Sequence, residues 1–229
     1  MPANSVHTSP IGPGIWIGIE NELRNKESES TIPLGWLCAK REACHNADMI
    51  VRDCGHLVKT DGSLDDYDRE FVTHPFQMPK FKNVCEMFSK LGEHFYAPDH
   101  IIANAKHHIW YGLHVTVSGI PYDKVDLKNF VCNHKTKIEQ IAGREENHYC
   151  EYVSSIHIRG AVNYRSNGSV EFRMFHATVK THMLKVRVQM AIALMKYHKS
   201  LTWGLFVREV SGDPMLKDLN RFIQERRIL

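Results

Sequence analysis

Glu20 and Glu22 are the first residues whose type and spacing could do chemistry. They sit in Ile15-Trp-Ile-Gly-Ile-Glu-Asn-Glu22, where Ile15, Ile17 and Ile19 alternate with Trp16, Gly18, Glu20 and Glu22. Alternation with a period of two predicts a strand over 15–22, its isoleucine face in the core and both carboxylates on the other side. The same pattern recurs twice. In Tyr111 to Ser118, Leu113, Val115 and Val117 oppose His114, Thr116 and Ser118. In Ser169 to Phe175, Val170, Phe172 and Met174 oppose Glu171, Arg173 and Phe175. If these apolar faces share one core, the polar faces share one surface carrying Glu20, Glu22, His114, Glu171 and Arg173, with Glu70 and Asp61 nearby from an acidic turn. Carboxylates gathered so closely raise one another's pKa unless cations stand among them. An oxygen-rich set with one imidazole suits Mg²⁺ or Mn²⁺, and Arg173 adds a planar cation matched to phosphate oxygens. Carboxylates, divalent metal and arginine together are apparatus for phosphoryl transfer. The plainer reading is a solvated sheet face with cross-strand pairs, against which Trp16, Gly18 and Phe175 on the polar sides weigh.

The remaining pattern supplies the elements that would hold these strands. Residues 1–14, rich in Pro, Gly and Ser, read as a loose arm, and residues 15–229 as one domain. Short strands are expected near Leu34 to Ala39, Met49 to Arg52 and Arg69 to Thr73, with a turn at Thr60-Asp-Gly-Ser63 and a charged loop from Arg24 to Thr31. Apolar residues at 81, 84, 85, 88, 91 and 95 predict a helix over 80–95, and the stripe at 127, 130, 131, 134, 138 and 141, apolar except for His134, predicts a second over 126–142, stopped by Gly143. Ile156 to Tyr164 and Ser169 to Phe175 read as a hairpin turning through Asn167-Gly168. A third helix spans about Thr181 to Lys199, and a last one starts at Asp213-Pro214. Mixed strands and helices with hairpins give an α+β class with a mainly antiparallel sheet.

Composition narrows the function classes. Of 229 residues, 43% are hydrophobic and 24% charged, as in a folded globular chain. No run approaches the ~20 apolar residues of a membrane helix, and Met1-Pro-Ala-Asn-Ser-Val-His has neither the basic start nor the apolar core of a secretory signal. A cytoplasmic location is the expectation. The net charge of +3 with histidines neutral does not call for a polyanion, so nucleic acid is permitted as a partner without being favoured. Reduced thiols are expected. Cys38, Cys44, His45, Cys54 and His56 are metal-capable, but the cysteine gaps match no usual zinc spacing.

The order of the pieces resembles a known family. Gly18-Ile-Glu-Asn-Glu-Leu23, Asp61-Gly-Ser-Leu64, Glu70-Phe-Val-Thr-His-Pro75, Leu113-His-Val-Thr-Val117, Ala142-Gly-Arg144, Asn163-Tyr-Arg165 and Val170-Glu-Phe-Arg-Met-Phe175 follow one another as in the amidoligase family, small members of the glutamine synthetase-like carboxylate–amine ligase superfamily. The likeness covers roughly Ile15 to Thr181. It implies an antiparallel sheet curved into a partial barrel, helices packed on its convex side, and ATP with Mg²⁺ or Mn²⁺ in the concave mouth. It implies ATP-dependent amide formation through an acyl phosphate, joining a small-molecule or peptide carboxylate to an amine. By position, Glu20, Glu22, Glu70 and Glu171 look like metal ligands, and His114 like a ligand or phosphate contact. Arg165 and Arg173 look like phosphate-stabilising cations with Arg144 a third, and Asp61 like a metal holder or proton acceptor. An acyl phosphate must be kept from water, which makes Arg24 to Thr31 the candidate closing loop. Where the family commonly shows His-x-His, this chain has His114-Val-Thr116, which implies thinner or water-completed coordination. Related ligases often assemble, so a homo-oligomer is compatible with the likeness.

Two other functions fit the same residues. A two-metal phosphodiesterase or nuclease could use Glu20, Glu22, Asp61, Glu70 and His114 to clamp a phosphodiester. A non-catalytic relative could bind ATP and metal without turnover. His107, His108, His157 and His176 are better read as surface, rim or core residues, the methionines of the third helix as packing, and Arg226-Arg227 as a helix-end complement.

Overall fold

Isoleucine alternation does put one face of the first strand in the core: Ile17, Ile19 and Leu23 are fully buried in β1 (Trp16–Asn25). The structure, a computed structural model, describes residues 14–26, 36–59, 64, 68–98, 102–103, 108–109, 111–147, 150–152 and 160–229. After β1 come α1 (Trp36–Asp53), β2 (Leu57–Lys59), β3 (Arg69–Val72), β4 (Phe76–Gln77), α2 (Phe81–Leu91), β5 (Phe95–Tyr96), β6 (Ile102–Ala103) and β7 (His108–Ile109). The second half contains β8 (Gly112–Ser118), α3 (Lys124–Asn133), α4 (Lys135–Ala142), β9 (Val162–Tyr164) and β10 (Val170–His176). It ends with α5 (Thr181–Tyr197), α6 (Trp203–Gly212) and α7 (Lys217–Arg226).

The strands form an open, curved sheet in the order β2-β3-β1-β8-β10-β9, with β4 and β5 added to the ends of β1 and β6-β7 set apart as a ribbon. All its ladders are antiparallel. The class is therefore α+β, as the pattern predicted. Helices cover the apolar face, with α5 against β8 and α4 against β10. The run Met190-Ala-Ile-Ala-Leu-Met195 is wholly buried, which makes α5 the central helix and confirms Met190 and Met195 as packing, while Met183 is only half-buried. Each Met, Ile and Leu side chain of the run contributes roughly 1.5–3 kcal/mol by leaving water, the alanines less. Local signals end the helices where expected. Gly143 closes α4 at φ 69°, and Asp123 caps α3 by accepting from the Val125 and Asp126 N–H groups. Among the described residues no helix is long and apolar enough to cross a membrane.

Several expectations need correction. Leu34 to Ala39 and Met49 to Arg52 are not strands; from Trp36 both stretches belong to α1, and residues 34–35 lie outside the described residues. Ala43, Cys44, Ala47 and Val51 fall on one buried stripe of that helix, so tertiary packing overrides two short apolar runs that taken alone suit either state. The helix expected over 126–142 is two, broken at His134, whose φ −113° and ψ 22° leave the helical region. Only Val162–Tyr164 of the longer strand expected from Ile156 pairs with β10; residues 156–159 lie outside the described residues. Helix α6 and strand β2 escaped the pattern altogether. The arm over 1–13, Asp61, His107, His157 and residues 27–31 of the candidate closing loop lie outside the described residues, whereas Arg24 and Asn25 belong to β1.

Phe175 is the clearest reversal. Strict alternation puts it on the polar face with Glu171 and Arg173, yet it is fully buried in the core. Phe172 pairs with Val115, but Phe175 pairs with Leu113, so two residues of β10, Arg173 and Met174, stand opposite the single residue His114. This bulge flips the alternation. Arg173 stays on the polar side while Met174 and Phe175 both turn inward.

Candidate functional site

Register brings the acidic residues together. Glu22 lies directly across from Glu70, and Glu20 directly across from His114. On the other edge of β8, Thr116 is the partner of Glu171, which in turn faces Asn163. Cross-strand partners share a face, so Glu70, Glu22, Glu20, His114, Thr116 and Glu171 form one band across β3, β1, β8 and β10. Donor atoms of Glu20, His114 and Glu171 lie within 4.8 Å of one another. His114 Nδ1 is 3.5 Å from Glu20 Oε2.

The two ends of the band differ in what surrounds the carboxylates. Glu171 is fully buried. Its Oε1 accepts from Arg165 Nη2 at 2.7 Å, its Oε2 accepts from Asn163 Nδ2 at 3.0 Å, and Arg173 Nη1 stands 3.8 Å away. Burial works to raise its pKa, but His114, the Asn163 hydrogen bond, Arg165 and Arg173 outweigh burial and hold it below the ordinary carboxylate value. At the other end Glu70 is pushed up to about 7, by burial first and then by Glu20 and Glu22, against which Lys59 and the His114 ring only partly compensate. Glu22 Oε2 accepts the Gly112 N–H at 2.7 Å.

Gly112 makes room for this arrangement. A Cβ at that position would lie 2.6 Å from Arg144 Nη1, 3.2 Å from His114 Nε2 and 3.3 Å from Glu22 Oε2. A side chain there would push into the junction of all three. Arg144 arrives from the turn after α4 and is buried at 7% exposure. Its Nη1 donates to the Arg173 carbonyl and its Nη2 to Asn147 Oδ1, each at 3.4 Å. Burial pulls its pKa down, countered by Cys150 and Glu22.

A divalent cation fits the donors at the centre of the band. Two carboxylates and an imidazole from Glu20, Glu171 and His114 are a hard, mostly oxygen set of the kind Mg²⁺ and Mn²⁺ accept. Each oxygen of Glu171 keeps lone-pair capacity beyond its present bond. The neighbouring Glu70 is raised by burial first and then by the like charges of Glu20 and Glu22. Thr116 is 6% exposed beside Glu171.

The structure thus brings Glu20, Glu22, Glu70, His114, Glu171, Arg144, Arg165 and Arg173 to one face. Among the described residues Cys44, His45, Cys54 and His56 form no metal-capable group, Cys44 being buried against Asn25 and Cys54 exposed; the Cys38 side chain lies outside the described residues. His176 is a rim residue, bonded through Nδ1 to the Ala177 carbonyl at 2.7 Å. Sequence reasoning gave no role to Gly112 or Lys59, quoted Asn163 only within a motif, and put Arg24 in the candidate closing loop. Asn163 and Arg24 were readable as members of strand faces; the part played by Gly112 depends on a long-range approach by Arg144 that no local pattern records. Comparison with protein-family models gives no match, and comparison with curated protein sequences gives none either.

Proposed function

We propose that the chain is an ATP- and Mg²⁺-dependent carboxylate–amine ligase, built on a partial barrel of the glutamine synthetase type. The observation that carries this reading is the 4.8 Å cluster of Glu20, His114 and Glu171 lying beside Arg165 and Arg173. Glu20, His114 and Glu171 would hold the metal, with Glu22 and Glu70 on its open side. Bound there, a divalent ion spreads negative charge on phosphate oxygens and aligns them with a nucleophile. The chain's own residues supply the rest. Arg173, half-buried with its guanidinium beside Glu171, and Arg165, more open at 45% exposure, would take the charge of a transferring phosphoryl group. Asn163 fixes the Glu171 carboxylate through its hydrogen bond. In the reaction the substrate carboxylate takes the γ-phosphoryl group to give an acyl phosphate and ADP, and an amine then displaces phosphate to form the amide.

Incubation with Mg²⁺, ATP and a panel of amino acids, dicarboxylates and polyamines tests the reading. ADP and phosphate release that requires both a carboxylate and an amine, with an amide product by mass spectrometry, is the expected result. Degradation of DNA or RNA with Mg²⁺ and no ATP would establish the phosphodiesterase instead. Tight MgATP binding with no phosphate release on any pair would leave a binding protein.

A further inference from the structure

Arg227 lies in a conformation that a helix-end charge does not need. Its φ is 53°, and among the described residues it is the one residue other than glycine at positive φ. Left-handed backbone favours glycine, because a Cβ there crowds the following carbonyl. Ile228 fixes the turn. Its N–H donates to the Ile223 carbonyl at 3.0 Å, its own carbonyl accepts from the Trp203 indole at 2.9 Å, and its side chain is buried. An arginine thus stands where glycine would be easier, and it lines a cavity of about 460 Å³. Helix α4 contributes Lys137 to the walls, α5 Met183, and α7 Phe222 and Arg226. Three cations therefore line this space together with apolar surface, and among the described residues no carboxylate side chain lines it. Neither arginine forms an ion pair among the described residues. Arg226 instead lies over Phe222, its guanidinium carbon 5.6 Å from the ring centroid, and Lys137 Nζ donates to the Leu229 main-chain oxygen at 2.6 Å.

We propose that this cavity binds a small organic anion, an acidic head group carried on an apolar body. Like charges around a concave space with low-dielectric walls favour an anion inside it, and two guanidinium forks suit a carboxylate, sulfonate or phosphate head. The head would lie between Arg226 and Arg227, with the hydrocarbon against Met183 and Phe222. A bare inorganic anion would leave the apolar wall unused, and a neutral hydrocarbon would leave the arginines unused. Walls drawn from three helices and the segment after α7 enclose a space of the size small molecules occupy, which a flat protein surface would not fill. The site lies among the helices, apart from the carboxylate band, and the inference does not depend on the ligase reading.

Calorimetric and fluorescence titration of the intact chain with anilinonaphthalene sulfonate tests this. Phenylnaphthylamine supplies the same rings without the charge, and sulfate supplies the head alone. The dye should bind roughly tenfold or more tightly than either. Arg227→Gly removes the cation and relaxes the backbone, so two readouts should part company. Dye affinity should fall roughly tenfold or more, while the urea midpoint stays the same or rises. Arg226→Met, which keeps an apolar stem over Phe222, should weaken the dye to a similar degree. An arginine serving only the helix end would leave dye affinity unaltered. No dye binding, equal binding of dye and phenylnaphthylamine, sulfate binding as tightly as the dye, or unaltered dye affinity in Arg227→Gly overturns the proposal. Should Arg227→Gly fold poorly, Arg226→Met and Arg227→Gln decide by the same affinity criterion.

Discussion

Glu70 and Glu171 are buried carboxylates on one face of one sheet, separated by β1 and β8, and their protons behave in opposite ways. Glu70 rises to about 7 while Glu171 is held below the ordinary value, although Glu171 is the more deeply buried of the two. Burial alone therefore does not set the difference: it is the largest cause raising Glu70, with the like charges of Glu20 and Glu22 added to it, whereas at Glu171 cations and hydrogen bonding outweigh it. Arg165, Arg173 and Asn163 crowd Glu171, whereas Glu70 has Glu20 and Glu22 as its near neighbours and Lys59 as its main cation. One end of the band carries its compensating charge within the fold. The other end is short of it, and the Glu20–His114–Glu171 cluster lies between them.

The largest effect should come from the carboxylate at the centre. Glu20→Gln removes one oxygen charge from the cluster, and Mn²⁺ affinity, read by paramagnetic water relaxation, should fall on the order of a hundredfold or more with the fold intact. Normal Mn²⁺ affinity in that variant would take Glu20 out of the ligand set. Next comes Glu70, whose folded value of about 7 exceeds the ordinary ~4.3 of a free side chain. A raised value means the folded state holds the proton longer than the unfolded one. Its contribution is then fully present below about pH 4 and lost as pH rises to about 7. In metal-free buffer Glu70→Gln should accordingly stabilise the chain by about 2–3 kcal/mol at pH 8 and by little at pH 4, measured as urea midpoints. A less stable Glu70→Gln protein at pH 8 would break the contrast. The smallest effect is expected at Glu171, with the opposite sign. A depressed value contributes stability above the ordinary carboxylate pKa and loses it as pH falls through the folded value. Glu171→Gln should cost about 1–2 kcal/mol at pH 8, a loss that shrinks in acid. An equally stable variant would mean that Arg165 and Arg173 do not hold this carboxylate.

Legibility followed range. Glu20 and Glu22 could be assigned to one side because alternation within a strand is local, and the same rule found His114 and Glu171. Gly143 and Asp213 marked helix ends for equally local reasons, a left-handed φ and a side chain accepting from Met215 N–H. Helix α1 was missed because its buried stripe is largely small residues, Ala43, Cys44 and Ala47, whose weak hydrophobicity hides the 3.6 period behind the flanking Leu-Cys-Ala and Met-Ile-Val runs. What joins distant segments was not readable. The facing of Glu22 by Glu70, the wrapping of Glu171 by Arg165 and Asn163, and the arrival of Arg144 above Gly112 all depend on pairings between parts of the chain that no local pattern encodes.

The bulge in β10 has a consequence for how the sheet could be altered. Removing Met174 would leave Arg173 alone across from His114, and the next aromatic ring would still meet Leu113. Every neighbour would keep its mate, and the ladder would run straight. What would go is the extra coiling that a surplus backbone unit forces on a strand. A single-residue deletion would thus flatten the sheet while sparing its pairings, and would separate the part of this protein that depends on shape from the part that depends on composition.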